Sequence, residues 1–312
     1  IGSHLTEMMT KKGFRVVAFD RYNSNNDHGW LNNSPYKKDF EVILGDIRDY
    51  DSINKAARGC KSVMHLAALV GIPYSYFSPA AYVKTNIEGT YNLLEASKNN
   101  RVNNVIITST SEVYGTPKKI PIKENHQINS QSPYAASKVA ADQLALSYFR
   151  SYDLPIKIIR PFNTYGPRQS NRAIIPSIIS QCLFNKSGNL YLGNLAPTRD
   201  LNYVEDICDA FFEIYKTKKT IGEIINVGSN HNLSVKNLAE EIQKIMKLNY
   251  KIKSIEFKKR PKKSEVFHLK CDNNKIKKFT NWKQKVKLRS GLKKTIEWFS
   301  KNYDPRKESY YL

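Results

Sequence analysis

Cysteine, tryptophan and glycine are scarce in this chain of 312 residues, which has four, three and fourteen of them. Cys60, Cys182, Cys208 and Cys271 stand far apart with no C-x-x-C pair. That spacing fits neither a structural zinc site nor a disulfide framework, and scattered free thiols suit a reducing cytoplasm. The six histidines are equally dispersed and form no H-E-x-x-H, so no metal is expected. No apolar run approaches the ~18 residues of a membrane span. The opening residues, 1–13, are amphipathic and lack the basic start and apolar stretch of a signal peptide. The expectation is a cytoplasmic protein without a membrane partner.

Acidic charge is also short. Fifty Lys and Arg face 28 Asp and Glu, a net +22. From Lys216 onward 26 basic residues face 9 acidic ones, so +17 of that charge lies in the last third. A basic half can signal nucleic acid. Here the lysines alternate with Asn, Ile and Glu, and no helix-turn-helix, finger or RNP pattern accompanies them. Solvated faces account for them, and nucleic acid is not an expected partner. A basic surface also steers a diphosphate-bearing ligand.

What is abundant is alternation. Short apolar runs at 15–20, 41–44, 62–66, 104–108, 156–160 and 224–227 read as buried strands. Helical patterns at 52–58, 79–98 and 133–151 lie between them. Strands alternating with helices predict a doubly wound parallel α/β sheet. After Pro161 the texture turns to Pro, Gly and Asn, with helices near 174–184, 204–215, 235–246 and 292–299, which suits a smaller C-terminal lobe. Ligands of such sheets bind beyond the carboxyl ends of the strands, so the chemistry belongs just after Asp20, Asp46, Leu66, Thr108 and Arg160.

Three signals fall there. Asp20 closes a strand 18 residues after Gly2, where an acid accepts hydrogen bonds from a ribose and disfavours a 2′-phosphate. Arg21 beside it leaves the choice between NAD and NADP open. In Tyr134-Ala-Ala-Ser-Lys138 the phenol and the ammonium share one helix face. A nearby cation lowers a phenol pKa and makes it a usable base. Thr108-Ser109-Thr110-Ser111-Glu112-Val113-Tyr114-Gly115 directly follows a buried strand, and its hydroxyls can reach the same substrate atom. On an extended strand end, Glu112 faces the same side as Thr110.

On these residues the chain resembles, from end to end, an extended short-chain dehydrogenase/reductase of the nucleotide-sugar epimerase/dehydratase family. The resemblance implies a Rossmann-like fold, NAD as cofactor and a nucleotide sugar as substrate. Ile1-Gly2-Ser3-His4-Leu5 resembles the tail of that family's glycine-rich phosphate loop. The first strand and part of that loop then read as missing, which implies poor NAD binding. The resemblance places Gly2, Asp20, Asp46, Ile47, Leu66, Ala67, Ala68, Tyr134, Lys138 and Pro161 against the cofactor. It places Asn163, Arg168, Arg199, Tyr203 and Arg260 against the substrate, and makes Asn86 a structural or ribose-adjacent residue. It divides the chain into a cofactor domain (1–165 with 200–228) and a substrate lobe (166–199 with 229–312). Helices 79–98 and 133–151 correspond to those of a homodimer interface.

The family's opening step is implied with it. Tyr134, helped by Thr110, takes the proton of the sugar 4-hydroxyl as the C4 hydride passes to NAD, while Lys138 holds the nicotinamide ribose. The later steps separate epimerases, decarboxylases and dehydratases. A 4-keto group acidifies the C5 proton, and Glu112 is a carboxylate able to remove it and to protonate the departing 6-hydroxyl. Where dTDP-glucose dehydratases carry Asp this chain has Ser111. Its Thr-Ser-Glu run is similar to those of GDP-mannose 4,6-dehydratases and of UDP-glucuronate decarboxylases. Residues 160–176 resemble most closely the 4,6-dehydratases of legionaminic-acid-type pathways, whose substrate is UDP- or GDP-N-acetylglucosamine. A 4-epimerase, a UDP-glucuronate decarboxylase and a non-catalytic NAD-sensing regulator are the alternatives.

Overall fold

The computed structural model describes residues 1–185 and 187–302. Helix α1 (Gly2–Lys11) opens the chain and leads into strand β1 (Val16–Arg21); β2 (Phe40–Gly45), α2 (Tyr50–Ala57) and β3 (Ser62–His65) follow. Next come α3 (Ile72–Phe77), α4 (Pro79–Tyr82), a π-helical stretch (Val83–Glu88), α5 (Gly89–Asn99) and β4 (Asn104–Thr108). A 3₁₀ turn (Ser111–Tyr114) then precedes α6 (Pro133–Tyr152) and β5 (Ile156–Pro161).

Strands β3, β4 and β5 are parallel neighbours, and β10 (Ile224–Val227) joins the outer edge of β5. Burial alternates along them. Val105 and Ile107 of β4 and Ile156 and Ile158 of β5 pack with α2, α5 and α6. Ile106 and Ile159 point the other way, into a larger core with α1 and the C-terminal helices. The period of two in these strands therefore builds both faces of the sandwich, as a doubly wound sheet requires. Strands β1 and β2 form a separate parallel pair, and among the described residues no hydrogen bond joins β1 to β3. The expected single sheet is thus two parallel sheets sharing both cores, in a Rossmann-like α/β fold.

The rest of the chain comprises β6 (Thr164–Tyr165), α7 (Ile174–Phe184), β7 (Asn189–Leu192), β8 (Thr198–Asp200), β9 (Asn202–Tyr203), α8 (Val204–Lys216), β11 (Asn232–Ser234), α9 (Val235–Met246), β12 (Lys251–Ser254), α10 (Asn274–Phe279) and α11 (Leu288–Asn302). Three two-stranded ribbons, β6–β9, β8–β11 and β7–β12, tie this part together. The buried Asp200 carboxylate accepts from the Ser229, Asn230 and Cys271 backbone amides at 2.8, 3.0 and 2.9 Å. It is a structural anchor. Among the described residues no helix is long and apolar enough to cross a membrane.

The helix expected over 79–98 is present and unbroken, with a wider π turn inside it. Residues 79–98 run through α4, the π turn and α5 without a gap, and the buried Asn86 lies in the wider turn. Its amide oxygen accepts from the Leu69 amide at 2.8 Å, and its nitrogen donates to the Leu69 carbonyl at 3.0 Å and to Ser137 at 2.9 Å. The loop after β3, the π turn and α6 are fastened at one buried side chain.

Candidate active site

Helix α6 presents the Tyr134–Lys138 pair. Ser132 caps it by accepting from the Ala135 amide at 3.1 Å, and Pro133 occupies the first turn, where its missing donor is harmless. Both side chains are buried, Tyr134 at 7% and Lys138 at 3% exposure. Tyr82 stands edge-on to the Tyr134 ring with centroids 6.2 Å apart.

Burial decides how the two groups titrate. It pushes the Lys138 ammonium down to about 8, with the Asp142 carboxylate opposing. It holds the Tyr134 phenol above its ordinary range; the Thr110 hydroxyl bonded to it lowers it, and the Glu112 charge raises it further. The expectation that the neighbouring ammonium sets a low phenol pKa is therefore corrected. In the free protein desolvation dominates, because the ring is packed away from water. His65, at the end of β3, is likewise pulled down to about 3 by burial and then by Lys138, and stays neutral beside it.

Glu112 reaches the site by a different route from the expected one. The strand ends at Thr108, and Ser111–Tyr114 is a 3₁₀ turn capped by Thr110, whose hydroxyl accepts from the Glu112 amide at 3.2 Å. Gly115 closes the turn at φ 59°, and a Cβ there would lie 2.1 Å from the Asn129 carbonyl oxygen. The tight turn buries Thr110, Ser111 and Glu112 together and brings the Glu112 carboxylate near Tyr134.

Around Glu112 stands a charge quartet. Arg260 Nη1 is 3.8 Å from Glu112 Oε2 and 4.0 Å from Glu265 Oε1, while Arg199 Nη2 donates to Glu265 Oε1 at 3.3 Å. Arg199 Nη1 donates to the Thr198 and Val266 carbonyls at 3.0 and 2.8 Å. Arg199 is thus committed inside the protein, whereas Arg260 is a quarter exposed. Among the described residues the buried amide oxygen of Asn163 has no hydrogen-bond partner, which leaves it open to a ligand donor.

Behind the site lies a second polar network. Asp142 Oδ2 accepts from Ser109 at 2.7 Å and from Arg160 Nε and Nη2 at 3.1 and 2.8 Å. Arg160 Nη1 donates to Tyr114, whose hydroxyl donates to Asn226 at 2.8 Å. All these side chains are buried.

At the proposed cofactor edge, Asp20 sits exposed at the end of β1 and accepts from its neighbour's amide. Asp46 is held down to about 2 by its hydrogen-bonded Arg48. Ile47 is buried against α5, where a Cβ on Gly89 would come within 2.8 Å of its Cγ1. Leu66 and Ala68 are half-buried and Ala67 exposed at the end of β3; Pro161 is buried at the end of β5. Gly2 is exposed in the first turn of α1.

Two expected substrate residues are engaged elsewhere. Arg168 pairs with Glu7 of α1, with both nitrogen–oxygen distances at 3.0 Å. Tyr203 is buried in the core, edge-on to Tyr165 at 5.7 Å. Neither joins the cluster around Glu112. Glu265, Asp142 and Ser137 do belong to the site or its support and were not singled out from the sequence. Asp142 did carry a signal, lying one turn beyond Lys138 on the same helix face. Glu265, in an irregular loop, carried none.

Residues 1–295 match the family model described as GDP-mannose 4,6 dehydratase. The chain belongs to that family. Its relatives are nucleotide-sugar 4,6-dehydratases and epimerases of the NAD-dependent extended short-chain dehydrogenase type. The human dTDP-D-glucose 4,6-dehydratase is 32% identical over 281 residues, covering 86% of this chain and 77% of the relative. The trifunctional UDP-glucose 4,6-dehydratase/UDP-4-keto-6-deoxy-D-glucose 3,5-epimerase/UDP-4-keto-L-rhamnose-reductase RHM1 of Arabidopsis thaliana is 30% identical over 310 residues. The chain covers only 46% of that relative's length. Among solved structures, DesIV, a dTDP-glucose 4,6-dehydratase from Streptomyces venezuelae with NAD bound, superposes with TM-score 0.88 at 25% identity, over 96% of this chain and 94% of that one. The UDP-glucuronic acid 4-epimerase of Bacillus cereus, in complex with UDP-glucuronic acid and NAD, gives 0.86 at 29% identity, over 96% of each chain.

Proposed function

We propose that the protein is an NAD-dependent nucleotide-sugar 4,6-dehydratase acting on UDP- or GDP-N-acetylglucosamine. The observation that carries this reading is the buried Glu112 carboxylate, near enough for its charge to raise the Tyr134 phenol, in the same capped turn as Thr110 and Ser111. The sugar is taken from the resemblance of residues 160–176 to legionaminic-pathway dehydratases. The cofactor half is residues 1–165 with 200–228, and the lobe is 166–199 with 229–312. Tyr91 of α5 and Tyr152 of α6 are exposed on helices suited to a homodimer interface.

The residues present fit a dinucleotide. Carboxylates end β1 and β2, small residues follow β3, and a buried ammonium waits at Lys138. NAD supplies the acceptor for the C4 hydrogen, its later donor to C6 and a positive charge on its ring. Lys138 orients the ribose and adds its own charge, so the Tyr134 phenol, high when free, falls toward a working value once cations surround it. Tyr134 then takes the 4-hydroxyl proton, and Thr110 holds the same oxygen. Glu112 removes the C5 proton and delivers it to the 6-hydroxyl as it leaves as water; once C6 has its hydride, a solvent proton reaches C5 through Glu112, balancing the one that Tyr134 took. Arg260 holds the diphosphate, the open amide oxygen of Asn163 accepts from a ligand hydroxyl, and Ser111 donates to the sugar.

Glu112→Gln tests the assignment. Oxidation at C4 should survive, seen as NADH absorbance, while water loss falls by about 10²–10⁴-fold. Unchanged water loss would remove Glu112 from this role. A second reading has its own support. Arg260, a guanidinium beside Glu112, could receive a C6 carboxylate, which fits a UDP-glucuronate 4-epimerase or decarboxylase.

A further inference from the structure

Two guanidinium groups stand near Glu112, and they are held differently. Arg199 spends both terminal nitrogens on Glu265 and on two backbone carbonyls. Among the described residues the buried Arg260 Nη1 has no hydrogen-bond partner, and both carboxylates near it lie beyond hydrogen-bonding distance. Its contact with the two carboxylates is Coulombic. The backbone that carries it is nonetheless fixed. In the following turn the Ser264 hydroxyl meets Tyr76 at 2.6 Å and donates to the Gln131 carbonyl, and Gln131 Nε2 donates to the Lys263 carbonyl at 2.7 Å. The side chain can pivot while its anchor stays still.

We propose that Arg260 is a substrate-operated latch on Glu112. Without substrate it pairs with the carboxylate. The diphosphate of an arriving nucleotide sugar draws the guanidinium away and frees Glu112 for proton transfer. This rests on the reading of Glu112 as the acid–base group at C5. Glu112, Glu265, Arg199 and Arg260 balance in charge when ionised, so an entering dianion has to compete with a carboxylate for a cation. Arg199 cannot be given up without stranding Glu265 and two carbonyls, which leaves Arg260. A guanidinium meets phosphate oxygens through two short charge-assisted bonds that its contact with Glu112 lacks. The coupling is reciprocal: whatever Glu112 contributes to holding Arg260 is subtracted from nucleotide affinity.

The test is calorimetric binding of UDP or GDP, whichever the wild type binds more tightly, to four proteins: wild type, Glu112→Gln, Arg260→Gln and the double variant. Glu112→Gln should tighten binding by about fivefold or more. Arg260→Gln should weaken it, and in that background Glu112→Gln should have almost no further effect. If Arg260→Gln fails to fold, Arg260→Lys serves instead and should show a smaller gain from Glu112→Gln than wild type does. An unchanged or weaker affinity in Glu112→Gln overturns the latch. So does an equal gain in both backgrounds, which would reflect general relief of negative charge. The assay involves no turnover. Coupling found together with undiminished water loss in Glu112→Gln would sink the acid–base role and leave the ion-pair competition standing.

Discussion

Lys138→Met should make the protein more stable while abolishing its chemistry. Lys138 is buried, and desolvation has brought its ammonium from the usual 10.5 to about 8, net of the help given by Asp142. The gap of about 2.5 between those values, at about 1.36 kcal/mol for each pH unit, means that the charged side chain costs the fold roughly 3 kcal/mol. The sign follows from the direction. A lysine whose folded value lies below its unfolded one penalises folding fully below pH 8. The penalty fades as pH rises from about 8 to 10.5, where both states are neutral. Methionine has similar reach without charge, so the variant should gain roughly 3 kcal/mol at pH 7 and much less near pH 10. Urea unfolding of both proteins at the two pH values measures this, and the difference between them cancels the titration of other groups. A variant less stable than wild type at pH 7, or a gain that does not shrink with pH, would refute the reasoning.

Two further outcomes follow from the same geometry. Asp142→Asn leaves the buried Arg160 guanidinium without its counter-ion and should cost about 3–5 kcal/mol in denaturant unfolding. Gly115→Ala puts a Cβ against the Asn129 carbonyl at a backbone angle that disfavours side chains. It should cost about 1–3 kcal/mol and lower turnover by displacing Glu112, measurable as a kcat loss larger than any change in KM.

Much of the fold was legible because strands and helices announce themselves locally. The runs at 104–108 and 224–227 are strands β4 and β10 at the same residues, and the sheet's two-faced burial follows from their mainly apolar character. Tyr134 and Lys138 were legible for the same reason, since spacing on one helix fixes a shared face. The turn at 111–114 was not. A Thr-Ser-Glu run can continue a strand or curl under a capping hydroxyl, and the choice is made by Gly115 against Asn129, fourteen residues further on. The quartet around Glu112 joins residues about 150 apart in sequence, so no local pattern could reveal it. Arg168 shows the converse: a basic residue in a suggestive run is claimed by Glu7 at the start of the chain.

The central claim concerns what becomes of the sugar after oxidation at C4. Mass spectrometry of the product, after incubation with UDP- and GDP-N-acetylglucosamine and with UDP-glucuronate, tests it most directly. The account predicts a product lighter by one water from one of the N-acetylglucosamine nucleotides. Loss of carbon dioxide from UDP-glucuronate, or a product of unchanged mass epimerised at C4, would contradict it.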